Sequence, residues 1–246
     1  MSVLRPRYVP ACFIEPCIPT AARVPPPGPG WLHEIKHDGY RLMARLEGRR
    51  VRLFSRRGHE WSDRFPRISE ALGSLRARSA TIDGEAVVLC SKTGLSLFDE
   101  LHSGRRDRDV ILYAFDLLEL NGKDQRALPL EERKTRLADL LTSVAGGIEL
   151  SEHIEAEGET VLHHACKLGC EGIVSKQRAS SYRSGRVRTW IKVKNPNSPA
   201  MTRVWERRFP WQRECTLRRA VGLSPPPVST AARLAVMPSS PGPVKF

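Results

Sequence analysis

"HEIKHDGYR", residues 33–41, decides how the rest of the chain is read. The apolar pair Trp31–Leu32 and the alternation after it predict a strand over 31–36 that carries Lys36 to its end. The Asp38-Gly39 pair then turns the chain sharply. A lysine at a strand end is ordinarily a solvated surface residue. It becomes a nucleophile only when neutral, and at an ordinary pKa of about 10.4 roughly one copy in a thousand is neutral near pH 7. Lowering that pKa by about three units takes about 4 kcal/mol, which burial and neighbouring cations can supply. Asp38 would oppose this, whereas Arg41, Arg56, Arg57, Lys192 and Lys194 would favour it.

Outward from this stretch the pattern is mixed. Residues 40–46 and 50–55 read as strands joined in a hairpin at Glu47-Gly48-Arg49. Trp61, Phe65, Ile68, Leu72 and Leu75 recur at helical spacing over 61–77. "ATIDGEAVVLC" (80–90) reads as a strand with an acidic kink, and "VILYAFDLLEL" (110–120) as a buried strand stopped by the turn "NGKD". Helices are expected over 129–143, with proline at the start, and over 158–169, with glycine at the end. Strands close the folded part at 172–176 and 189–194. Helices and strands without strict βαβ alternation predict an α+β fold with antiparallel sheets. Residues 1–30, ending in "RVPPPGPG", read as an extended proline-rich leader, 31–200 as the folded domain, and 201–246 as a basic, proline-rich disordered tail.

The 246 residues carry a net charge of +13, and arginine outnumbers lysine. That excess favours a polyanionic partner, nucleic acid first, because arginine suits bidentate phosphate contacts. The six cysteines, at 12, 17, 90, 166, 170 and 215, form no CxxC pair and no disulfide ladder. No apolar run reaches membrane-spanning length, and the first residues lack a signal-peptide core, so a cytoplasmic location is expected. In "HHACKLGC" (163–170) no second ligand pair lies near enough for zinc, which leaves a packed helix as the better reading. "RVWERRFPWQRECTLRR" (203–219) reads as a solvated charge run.

Several short stretches depart from plain packing. "FSRRGHEW" (54–61) sets Arg56 and Arg57 just after a hairpin strand. In "IDGEAVV" (82–88), Asp83 and Glu85 share one strand face, where carboxylates suit a ribose hydroxyl or a metal. "YAFDLL" (113–118) puts Phe115, which could stack on a base, beside Asp116. "CEGIVSK" (170–176) brackets an apolar strand with Glu171 and Lys176. In "WIKVK" (190–194), Lys192 and Lys194 lie on one face and repel unless an anion sits between them. Each has a bland counterpart: a basic turn, a solvated turn, core packing, or an edge strand kept unsticky by lysines.

Taken in order, K-H-D-G-Y-R, S-R-R-G, I-D-G-E, A-F-D, E-G-I-V-S-K and W-I-K-V-K resemble the covalent nucleotidyltransferases. Within them the set is most similar to the ATP-dependent DNA ligases, in particular the ligase domains of bacterial end-joining enzymes, over about residues 10–205. The resemblance implies an α+β, ATP-grasp-like adenylation domain with antiparallel sheets flanked by helices. It implies that Lys36 attacks the α-phosphate of ATP, expels pyrophosphate and forms a lysyl–AMP phosphoramidate. Glu34 and Ile35 would lie beside the adenine, and Phe115 would stack on it. Arg41 and Arg56 would contact sugar or phosphate, with Lys176 at the phosphate end. Glu85 would hold the ribose or a metal, and Glu171 would bind a divalent cation, Mg²⁺ or Mn²⁺. Lys192 and Lys194 would grip the α-phosphate. AMP would pass to a 5′-phosphate of nicked or broken double-stranded DNA, with end-joining proteins as further partners and no membrane involved.

About fifty residues follow Lys194 and do not alternate, so the oligonucleotide-binding barrel of the larger ligases is not expected within them. Two other readings stay open on the sequence: an RNA ligase or capping-type nucleotidyltransferase, and a non-catalytic nucleic-acid-binding remnant.

Overall fold

The computed structural model describes residues 13–201 and 203. Expectations for the first part of the leader, for Cys12 and Cys215, and for the basic tail from 204 onward lie outside the described residues. The chain lays down β1 (Cys17–Ala22), β2 (Trp31–Ile35), β3 (Tyr40–Glu47), β4 (Arg50–Ser55), α1 (Pro66–Gly73), β5 (Ser79–Val87) and α2 (Phe98–Ser103). A 3₁₀ turn at Asp107–Asp109 follows, then β6 (Ile111–Leu120), β7 (Lys123–Asp124), α3 (Leu130–Leu141), β8 (Ile148–Leu150), α4 (Gly158–Lys167), β9 (Gly172–Gln177) and β10 (Gly185–Lys194).

These strands build a four-stranded sheet in the order β1-β10-β9-β2, and a six-stranded one in the order β4-β3-β5-β6-β7 with β8 beside β6. Pairing is antiparallel except at two places, where β1 runs parallel to β10 and β8 parallel to β6. Alternation along β3 shows how the layers form. Leu42, Ala44 and Leu46 enter a core shared with Ile68 and Leu72 of α1 and Leu137 of α3. Met43 turns the other way and packs with Leu32, Phe54, Leu118 and Trp190, which joins the two sheets. α4 covers β9 and β10 through Val161 and Ala165 against Ile173 and Val193.

Two expectations need correction. Residues 17–22, read as extended leader, form β1, whose register on β10 slips between Pro19 and Thr20. Proline cannot donate to a ladder, but an edge strand with an irregularity tolerates it. The helix expected over 61–77 begins only at Pro66. Proline suits a first helical turn and disfavours helix in the residue before it, so Trp61 and Phe65 pack from irregular chain. The "NGKD" stop is itself a tight hairpin, with φ of 52° at Asn121 and 82° at Gly122, and it returns β6 into β7.

The turn after β2 is held from three sides. The Lys36 N–H donates to the Gly172 carbonyl at 2.9 Å. A Cβ on Gly39 would collide with the Ala86 carbonyl oxygen, so only glycine lets this turn approach β5. The His37 ring stacks on Tyr113 of β6 with centroids 4.1 Å apart and planes 3° from parallel. Burial, and then the Lys36 charge, push the His37 imidazole down to about 4.

A second tie is fully buried. Arg133 of α3 forks onto Asp116 of β6 through Nε at 2.7 Å and NH2 at 2.8 Å, while NH1 donates to the carbonyls of Leu128 and Ser180. Arg133→Met should cost about 3–5 kcal/mol in urea unfolding, because it strands the Asp116 carboxylate. Arg133→Met with Asp116→Leu should recover most of that loss. His37 yields a pH prediction. Between about 4 and its ordinary 6.5 the unfolded chain binds a proton there that the folded chain does not. Stability should therefore rise with pH across that window, by at most about 1.4 kcal/mol per pH unit, and fall on acidification. His37→Phe, which keeps a stacking ring, should remove this component from the pH dependence of the melting temperature.

Candidate active site

The two sheets leave a cleft of about 1120 Å³ between them. From the four-stranded sheet and its turns come Glu34, Ile35, Lys36, Lys176, Trp190 and Lys192. The six-stranded sheet contributes Arg41, Arg56, Glu85 and Phe115. Strand register explains the grouping: Arg41 on β3 stands opposite Glu85 on β5, and Lys192 and Lys194 fall opposite Val174 and Gly172. Side chains two apart on one strand share a face. Gly172, at φ 142°, lies so near β10 that a Cβ would strike the Val193 carbonyl.

Lys36 projects from the turn with a fifth of its side chain exposed and donates from Nζ to Glu171 Oε2 at 2.6 Å. Lys194 Nζ takes the other oxygen of the same carboxylate at 2.8 Å. The sequence suggested cations around Lys36; its closest partner is instead this carboxylate, with cations behind it. The reason is repulsion, since ammonium groups gathered at one point need an anion among them. Glu171 and Lys194 therefore reach the cleft through Lys36. Lys192 faces the cleft directly, and burial, then Lys36 and Lys194, hold its amine below the ordinary lysine range.

Glu85 lines the cleft without an ion pair among the described residues. Burial pushes its carboxyl up to about 7 against the pull of Lys36 and Arg41, so it lacks a sufficient counter-charge. Arg41 also lines the cleft, with three of its five N–H groups engaged: one on Nε and one on NH2 by Asp83 at 2.9 and 2.7 Å, and one on NH1 by the Cys17 carbonyl at 2.5 Å. Tyr182 donates to the same Asp83 at 2.6 Å. Phe115 packs edge-on to Trp190 with centroids 6.0 Å apart, and Arg41 lies 5.2 Å from its centroid.

Glu34 is buried and held by two ammonium groups, Lys134 Nζ on Oε1 and Lys176 Nζ on Oε2, each at 2.8 Å. Burial acts to raise its carboxyl, but the two lysines overcome that and leave it below the usual range. Lys176, expected at the phosphate end, pairs with Glu34 and not with the Lys36–Glu171 group. Its amine sits 4.3 Å from the Phe115 centroid and 4.2 Å from that of Trp190, and burial pulls it down to about 8.

Sequence reasoning missed Lys134, Trp190, Tyr182 and Ser151, whose hydroxyl donates to Glu34 Oε2 at 3.1 Å and whose carbonyl accepts from Lys134. A signal existed for Lys134. The buried positions of α3 are Leu130, Arg133, Lys134, Leu137 and Leu141, so two cations stand on its apolar stripe. Such residues need buried anions, here Asp116 and Glu34.

Residues 25–194 match the family described as ATP dependent DNA ligase domain. The multifunctional non-homologous end joining protein LigD of Pseudomonas aeruginosa is 38% identical over 186 residues, covering 74% of this chain and 22% of that protein. A DNA ligase of Pyrobaculum calidifontis is 33% identical over 177 residues, covering 65% of this chain and 30% of that one. The solved ligase domain of M. tuberculosis LigD superposes with a TM-score of 0.64 at 31% identity, covering 73% of this chain and 60% of that chain. A mycobacterial DNA ligase D complexed with ATP and MES gives 0.63 at 32%, with 73% and 59% covered. The chain thus spans only about a fifth to a third of the curated relatives it matches. With its α+β sheets, its aromatic and cationic cleft and a match over most of its length, the chain belongs to the ATP-dependent DNA ligase domain family.

Proposed function

We propose that this chain carries out the nucleotidyl-transfer chemistry of an ATP-dependent DNA ligase, with Lys36 as the nucleophile. The observation that carries this is the Lys36–Glu171–Lys194 group at a cleft whose walls offer Phe115, Trp190, Arg56 and Lys192. Lys36 Nζ forms a bond to the α-phosphorus of ATP as the bond to pyrophosphate breaks, and the amine proton passes to solvent. For that, Lys36 must leave Glu171, since an amine held in an ion pair has no free lone pair. Lys192, Lys194 and Arg56 offset the negative charge that grows on the phosphate oxygens. Phe115 supplies a face for the base, while Glu34, fixed by Lys134 and Lys176, stands beside it.

AMP then moves from Lys36 to the 5′-phosphate of a DNA strand, and a neighbouring 3′-hydroxyl displaces it to seal the backbone. Nicked or broken duplex DNA is the proposed substrate, with end-joining proteins as partners and the cytoplasm as the place. Among the described residues no helix is long and apolar enough to cross a membrane.

A divalent ion, Mg²⁺ or Mn²⁺, fits Glu85 and Glu171. The described residues contain no cluster of three or more His, Cys, Asp or Glu side chains that could hold a metal alone. Magnesium sites commonly use one or two carboxylates with substrate phosphates and water, and the half-buried Glu85, without an ion pair among the described residues, could take such a counter-charge. The ion would supply charge neutralisation on the triphosphate.

Incubation with α-³²P-labelled ATP and Mg²⁺ should give an acid-labile protein–AMP adduct that is absent in Lys36→Ala. Lys192→Ala and Glu171→Ala should each slow its formation by about 10²-fold or more. Absence of any adduct, with duplex binding retained, refutes the enzyme reading, and a preference for GTP favours the capping type. Lys134→Met should raise the KM for ATP about tenfold, about 1.4 kcal/mol of affinity, with a smaller effect on kcat, because it frees Glu34 to move.

A further inference from the structure

We propose that the end of the six-stranded sheet turned away from the cleft is a second phosphate-binding surface, and that it grips duplex DNA. β3 begins at Tyr40, which lines the cleft, and ends at Glu47; seven steps at ~3.4 Å put that end roughly 24 Å away. Three chain segments meet there. The β3–β4 hairpin turns at Gly48, whose N–H donates to the Arg78 carbonyl at 2.8 Å. The Arg78 N–H donates in turn to Asn121 Oδ1 at 2.8 Å, which ties in the β6–β7 turn. Glu47 stands opposite both Arg50 on β4 and Ser79 on β5.

This junction displays Arg49, Arg50, Arg76 and Arg78, all exposed. Neighbouring strands lie about 4.8 Å apart, so Arg50 and Arg78 stem from backbone within roughly 10 Å, about one screening length at 0.1 M salt. The nearby carboxylates are already engaged. Glu47 is taken by Arg45 and Arg52, Glu119 by Ser79 Oγ and the Gly122 N–H, and Asp124 by Arg126. Among the described residues, none of the four arginines has a salt bridge. Four like charges set side by side, none paired to an acid among the described residues, raise the local potential, and a polyanion relieves it. The guanidinium fork matches phosphate oxygens, and duplex DNA offers a charge every ~1.7 Å of its axis. None of these side chains lines the cleft, so the surface can hold duplex that the cleft does not. The choice of DNA as the polyanion rests on the reading of the cleft; the phosphate surface itself does not.

Anisotropy of a labelled blunt duplex, titrated over a series of KCl concentrations, tests this on the full chain. Three proteins are compared: the unaltered chain, the quadruple R49Q/R50Q/R76Q/R78Q variant and the matching quadruple Arg→Lys variant. The Gln variant should bind more weakly, with the slope of log K against log salt reduced by about 3 to 4. The Lys variant should keep most of the slope, and both should form the ATP-derived adduct at the unaltered rate. An unchanged slope in the Gln variant overturns the proposal. So does an equal loss in the Lys variant, which would mark a damaged fold. Tighter binding to double-stranded RNA of the same length overturns the choice of DNA. Loss of the adduct in the unaltered chain, with the slope difference intact, removes the cleft reading alone.

Discussion

A carboxylate buried between two sheets must be met by a cation, and this chain is organised around that requirement. Glu34, Asp83 and Asp116 are each almost wholly removed from water, and each is answered by a cation from another element. Their partners come from α3, β3 and β9. Each pair therefore fixes one element against another. Removing one partner leaves an uncompensated charge, which costs far more than an exposed ion pair is worth. These contacts add specificity of arrangement beyond what the apolar cores supply.

The Glu171 group differs in kind. It lies at the cleft, where Lys36 keeps a fifth of its side chain in contact with solvent. An ion pair in partial contact with water can exchange partners, whereas Arg133 and Asp116, both fully enclosed, cannot do so without unfolding. The buried pairs thus supply a rigid frame, and the cleft pair supplies a replaceable contact on that frame.

Much of this was legible in the residues. The turn at Glu47-Gly48-Arg49 marked β3 and β4 as a hairpin, although burial on both faces of β3, with Leu42, Met43 and Ala44 all enclosed, blurs the period of two. The spacing of Lys192 and Lys194 placed both on one face without any coordinates. What stayed hidden depends on distant partners. Nothing local says that Cys17 offers its carbonyl to Arg41, or that Tyr182 caps Asp83. The three residues of β8 and the six of α2 are too short to display a period. Residues 17–22 read as part of an extended proline-rich leader, and only the parallel pairing with β10 shows a strand there.

That first strand has a consequence for where the domain begins. The family match starts at residue 25, after β1 has ended. Yet β1 covers the flank of β10, the strand that carries Lys192 and Lys194, and through Cys17 it also touches Arg41. A fragment cloned from residue 25 would leave β10 as a bare sheet margin, open to pairing with another molecule, and would take a carbonyl from the arginine beside the cleft. A piece that keeps the flank of β10 covered therefore starts at or before Cys17, inside the proline-rich stretch that resembles a dispensable leader.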